Sequence, residues 1–145
     1  MAINEQERAE KSAGAMWEND SASQGMGMRI ESVAPGRAVL SMTVEDRHTN
    51  GHKICHGGFI FTLADSAFAF ACNTYNKSTL AQQCAINFLA PAGLGDRLTA
   101  NAREIHLAGR SGIYDITVTN QDGTRIAEFR GMSRTIKGQL FEEEA

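Results

Sequence analysis

A chain of 145 residues, 42% of them hydrophobic, has the length of one domain and enough apolar mass for a core of its own. Fourteen basic against 17 acidic residues leave a formal charge of -3, which supplies no basic field for nucleic acid or an anionic membrane surface. Three cysteines at irregular spacing, Cys55, Cys72 and Cys84, set no disulfide framework and point to a reducing compartment, the cytoplasm, with each thiol read as a small buried side chain.

The opening run MAINEQERAEKSAGAMW mixes acids and bases without an apolar stretch, unlike a signal or transit peptide. Residues 4–19 are rich in helix formers and place Ala9, Ala13, Met16 and Trp17 on one side, which predicts a short amphipathic lead helix. Strand-like runs at 28–33 and 38–44 are joined by Pro35-Gly36, a hairpin signal. The polar, aperiodic stretch EDRHTNGHKICHGG, 45–58, reads as a loop.

FIFTLADSAFAFAC, 59–72, is apolar on every face except for Thr62, Asp65 and Ser66, the pattern of a buried helix. It is too short for a membrane span and carries a carboxylate in its middle. Strands dominate from residue 80: CAINFLA ahead of Pro91, LTANAREIHL from Leu98, GIYDITVTN from Gly112 and RIAEFRGMSRT from Arg125. The last two flank Asp122-Gly123, a hairpin turn. About six antiparallel strands can bury one apolar helix only by curling around it, an α+β domain. The whole chain, 1–145, reads as one such domain, with 1–24 as lead helix and linker and 137–145 as a tail with a frayed acidic end at 142–144. Open edge strands in a monomer predict self-association.

Candidate chemistry gathers between His48 and Asp65. Asp65 stands alone in the most apolar segment, where an unpaired carboxylate costs several kcal/mol or shifts its pKa. It reads either as a reacting group or as an acid turned toward water or backbone. His56-Gly57-Gly58, where loop becomes helix, offers free N–H groups to a negative oxygen, or simply makes a sharp turn. Asn50-Gly51 reads first as a turn, although an Asn amide can also hold a water or a carbonyl. His48, His52, Cys55 and His56 match no closed zinc pattern, and an adjacent Cys55-His56 pair lacks a third orienting group. No metal or cofactor is expected.

Together these residues resemble a known family. NGHKICHGGFIFTLADSAFAFAC is similar to the active-site segment of the hotdog-fold acyl-CoA thioesterases, in the branch that serves phenylacetate degradation. The resemblance continues through CAINFLAPAGLGDRLTANA, GRSGIYDITVTNQDG and FRGMSR, from about Trp17 to Arg134. The combination N-G-x4-H-G-G followed by L-A-D-S/T-A is specific, and its parts separately are not.

The resemblance implies a hotdog fold, an antiparallel sheet of about six strands wrapped around a long helix and paired into dimers or tetramers. It implies that Asp65 is the catalytic carboxylate, as nucleophile or as general base on water, and that the Gly57 N–H polarises the thioester carbonyl. It further implies that Asn50 positions water or the carboxylate and that His56 lies beside the substrate carbonyl. Ser66 follows Asp65 where relatives carry Ser or Thr. Arg110, Ser111 and Gly112 offer donors that suit phosphate, or make an ordinary tight turn; in the family this loop and the strand of Phe88 lie near the coenzyme A nucleotide.

The expected function is hydrolysis of arylacetyl or other short to medium acyl-CoA in aromatic catabolism. The rival is a non-catalytic acyl-CoA binding or sensing module on the same fold, with a hydratase as a third reading. One expectation follows from distance. Eight residues at about 1.5 Å separate Gly57 from Asp65 by about 12 Å along a helix, too far for one thioester, so two subunits should share each site.

Overall fold

The computed structural model describes residues 2–143. The lead helix α1 (Glu5–Glu18) starts where the Asn4 side chain accepts from the Glu7 N–H at 2.8 Å, and it buries Ala9 and Ala13 as the spacing predicts. A five-residue helix α2 (Ser21–Gly25) follows, capped by Asp20 and too short to register as a hydrophobic period. Strands β1 (Arg29–Ala34) and β2 (Arg37–Thr43) turn at Gly36, whose φ of +71° lies in the left-handed region.

The stretch read as a loop contains a single 3-10 turn, Asp46–His48, and a tight turn from Asn50 to Lys53. Helix α3 (Gly57–Cys72) then begins two residues ahead of the apolar run, because His56 caps it. Strands β3 (Thr79–Phe88), β4 (Arg97–Ala108), β5 (Ser111–Thr119) and β6 (Arg125–Thr135) complete the chain. The start of β3 precedes the expected CAINFLA run by five residues. There Asn73 clamps Thr79 on both sides, Nδ2 donating to its carbonyl at 3.0 Å and Oδ1 accepting from its N–H at 3.0 Å.

The six strands form one antiparallel sheet in the order β1-β2-β4-β5-β6-β3, curled over α3. This is the hotdog fold. Leu63, Phe68 and Phe70 of α3 are buried with Leu40, Met42, Leu98, Ile116 and Phe129 of the sheet. Phe68 needs Gly131 beside it, since a Cβ there would come within 2.6 Å of the ring.

Two expectations change. Helix α3 is not enclosed on every side: Gly58, Thr62, Asp65 and Ala69, at helical spacing, remain at least partly exposed, because one sheet covers only one side of a helix. Glu143, in the end read as frayed, is also held down. Arg8 binds it through two nitrogens, and the buried Asn76 donates to it at 3.1 Å while accepting from the Leu140 and Phe141 N–H groups. Glu144 and Ala145 lie outside the described residues. Of the two sheet edges, β1 is flanked by α1, whose Gln6 donates to the Val33 carbonyl at 2.8 Å. The β3 edge exposes Leu80 and Phe88, with Leu89 just beyond it.

Candidate active site

The His56 side chain caps α3 by accepting from the Gly58 N–H at Nδ1, 3.0 Å away. That bond places the imidazole proton on Nε2, which leaves an exposed donor at the helix entrance. The Phe59 and Ile60 N–H groups both donate to the His56 carbonyl. Among the described residues nothing accepts from the Gly57 N–H. An unpaired amide at the positive end of a sixteen-residue helix is suited to a negative oxygen.

Behind this entrance, His48 is buried with both ring nitrogens engaged, Nδ1 accepting from the Glu45 N–H at 2.9 Å and Nε2 bonded to the Met26 carbonyl at 3.1 Å. Its carbonyl accepts from the His56 N–H at 2.8 Å and so anchors the cap. Burial pushes the neighbouring Cys55 thiol up to about 11, which leaves almost no thiolate for nucleophilic attack at neutral pH.

Asp65 lies two turns further along α3, on the partly exposed strip. Burial without a charge partner raises its carboxyl above the ordinary carboxylate range. The Cys84 thiol on β3 lies 4.0 Å from Oδ1, a long contact for a donor.

Strand β3 runs antiparallel to α3 and acts as a ruler beside it. Thr79 is clamped to Asn73, Cys84 faces Asp65, and the Phe88 ring lies on Gly57. Four strand residues at about 3.3 Å span about 13 Å, matching the eight helical residues between Gly57 and Asp65. The two groups are therefore held apart within one chain. Ile54, Gly57, Ile60, Phe88 and Leu89 border an open cavity of about 430 Å³ at the Gly57 end.

The other expected residues are distributed unequally. Asn50 is exposed, and its Oδ1 is occupied by the His52 and Ile54 N–H groups of its own turn. Ser66 faces away from the entrance, with its hydroxyl 2.9 Å from that of Ser23 on α2. Arg110 and Ser111 border a second cavity, about 590 Å³, at the far end of α3, where Lys77 adds positive charge and Arg8 is paired with Glu143. Gly112 does not line it; a Cβ there would meet Leu107 and Ser133 within 3.0 Å, so that glycine serves close packing. Ser23 escaped the sequence reading, and Cys84, read there as a small buried side chain, is only half-buried. An alternation argument places Cys84 only when the bulge in β3 is known, and nothing local marks Ser23.

Residues 52–127 match the family model of the thioesterase superfamily. The chain belongs to this family. Acyl-coenzyme A thioesterase PaaI of Escherichia coli K12 is 44% identical over 94% of the chain and 97% of its own length. The structure of the E. coli PaaI protein from the phenylacetic acid degradation operon superimposes with a TM-score of 0.92, covering 94% of this chain and 99% of that one at 43% identity. A Streptococcus mutans protein, smu.793, solved with acetyl CoA bound, is 27% identical and superimposes with a TM-score of 0.74 over 77% of this chain and 90% of its own. The matched stretch contains both Gly57 and Asp65.

Proposed function

We propose that the protein hydrolyses acyl-CoA thioesters to a free acid and coenzyme A, with arylacetyl or other short to medium acyl groups as substrates in aromatic catabolism. The observation that carries this reading is Asp65, a desolvated carboxylate on the uncovered strip of α3 with no cationic partner among the described residues. Relationship to an acyl-CoA thioesterase, and to a protein of the phenylacetic acid degradation operon, supports the substrate class. The three unbridged thiols suit a reducing, cytoplasmic setting.

In this reading the Gly57 N–H receives the thioester carbonyl oxygen, and the tetrahedral oxyanion that follows gains about 3 kcal/mol from such a donor. Asp65 either attacks the carbonyl carbon or takes a proton from the attacking water. The C–S bond then breaks: with Asp65 as base, the coenzyme A sulfur takes the proton that Asp65 holds and the acid is free, and with Asp65 as nucleophile, the thiolate leaves, takes a proton from water, and a second water hydrolyses the acyl anhydride on Asp65. His56 Nε2–H faces the same entrance, and the free amide of Asn50 positions water.

Because β3 holds Gly57 and Asp65 about 12 Å apart in one chain, a second copy completes the site. An antiparallel neighbour places the Asp65 of one protomer beside the Gly57 of the other, twice per dimer. The open edge of β3 and the exposed strip of α3 are the surfaces such a neighbour would cover, as dimer or tetramer. The same pairing brings the cavity of Arg110, Ser111 and Lys77 to the side of the other protomer's Gly57, within reach of the coenzyme A phosphates.

The test is complementation. Asp65→Asn and Gly57→Pro, which lacks the N–H, should each be inactive toward a panel of acyl-CoA esters. Mixed and re-associated, they should recover about a quarter of wild-type thiol release, since a hybrid dimer holds one intact site. Hybrids that form by mass spectrometry but stay inactive would end the shared-site reading, and an active Asp65→Asn homodimer would end the assignment of the carboxylate.

A further inference from the structure

The register of β3 against β6 shifts between Ala81 and Gln83, so Gln82 is an extra residue bulged out of the ladder. Side chains alternate along a strand, and one inserted residue reverses which of them face inward. Thr79 points in ahead of the bulge, while beyond it Cys84, Ile86 and Phe88 face α3. Without the bulge Cys84 would turn away from Asp65. Among the described residues the Asp65 charge acts on two thiols, Cys84 from β3 and Cys72 from the last turn of α3. Burial and the Asp65 charge hold both protonated, Cys72 up to about 12.

A thiol is a weak donor, and at 4.0 Å its hold on Oδ1 is loose. A hydroxyl at the same place would donate a charge-assisted bond about twice as strong as a neutral one. It would stabilise the ionised carboxylate before the substrate arrives. Resting on the reading of Asp65 as the reacting group, we propose that the β3 bulge tunes Asp65 by setting a side chain without a strong donor, Cys84, against Oδ1. With a thiol there in place of a hydroxyl, this oxygen stays free to turn to the thioester carbon or its water.

The test compares Cys84→Ser with Cys84→Ala in the full-length protein. Serine and alanine are nearly equal in volume, so any loss of packing is common to both. The readout is the pH profile of kcat and kcat/KM for an acyl-CoA ester, with Asp65→Asn in the same panel and melting temperatures as a check on folding. Cys84→Ser should lower the plateau kcat about fivefold or more and move the acidic limb down by about half a unit or more. Cys84→Ala should keep the wild-type limb and stay within about twofold of the wild-type plateau. Ser and Ala variants with the same limb and plateau, beside an inactive Asp65→Asn, would overturn the role of Cys84 alone. An Asp65→Asn protein that turns over like wild type would remove both.

Discussion

The Phe88 ring lies against the α-carbon of Gly57, so close that a Cβ added there would stand 3.0 Å from its Cζ. The end of β3 thereby covers the first turn of α3 and leaves the Gly57 N–H open. Gly57→Ala keeps that N–H and needs no unusual backbone angle, yet it forces the ring to move. At 53% exposure Phe88 can swing aside, so stability should change by less than about 1 kcal/mol. Activity should fall about tenfold or more as the ring enters the space beside the donor. The double variant Gly57→Ala, Phe88→Ala should recover part of the loss. A double-mutant cycle on kcat/KM measures this, and strictly additive effects would mean that the two residues do not act together.

Asp65→Asn should separate activity from stability. Turnover should drop about a hundredfold or more if the carboxylate attacks or activates water. Stability should move the other way. Burial raises the folded-state pKa, so the folded chain binds a proton more readily than the unfolded one. The group's favourable contribution is therefore complete below the ordinary carboxylate range and is lost as pH rises through the raised value. Asn carries no charge, so the variant should melt higher than wild type at neutral pH, and the gap should close toward about pH 3. Thermal melts across that range check it; a variant that melts lower at neutral pH would contradict the desolvation argument.

Gly131→Ala should destabilise the fold by about 1–3 kcal/mol, because its Cβ would stand 2.6 Å from the buried Phe68 ring. Adding Phe68→Leu should return part of that loss by making room. Denaturant midpoints of the single and double variants measure both.

Arg110→Ala removes an exposed cation at the mouth of the far cavity, so stability should be unchanged. If the coenzyme A phosphates bind there, KM for acyl-CoA should rise about fivefold while kcat holds, since a remote contact acts alike on ground and transition states. Thioesters without the nucleotide should be unaffected. An equal loss with those short substrates would assign the loop another role.

Much of this was legible along the chain. The 3.6-residue period of the lead helix, the apolar run of α3, the alternation of Tyr114, Ile116 and Val118, and the Asp-Gly turn at 122–123 each depend on residues close in sequence. Asp65 stood out for the same local reason, as the one carboxylate in an apolar helix, and Gly57 because glycine marks the place where a loop becomes that helix. Net charge set aside nucleic acid, and the short apolar run with Asp65 in its middle set aside a membrane span. Tertiary structure decided what depends on register and coverage. The bulge at Gln82 turns Cys84 toward Asp65 and Phe88 toward Gly57, and α2 draws Ser66 away through Ser23. Gly112 faces a crowded ladder and not the cavity, and the strip carrying Asp65 stays open because one sheet cannot close over both sides of a helix. Periodicity records which way a side chain points from its own element. What it meets there is set by pairings between residues far apart in the chain, and a single inserted residue reverses them.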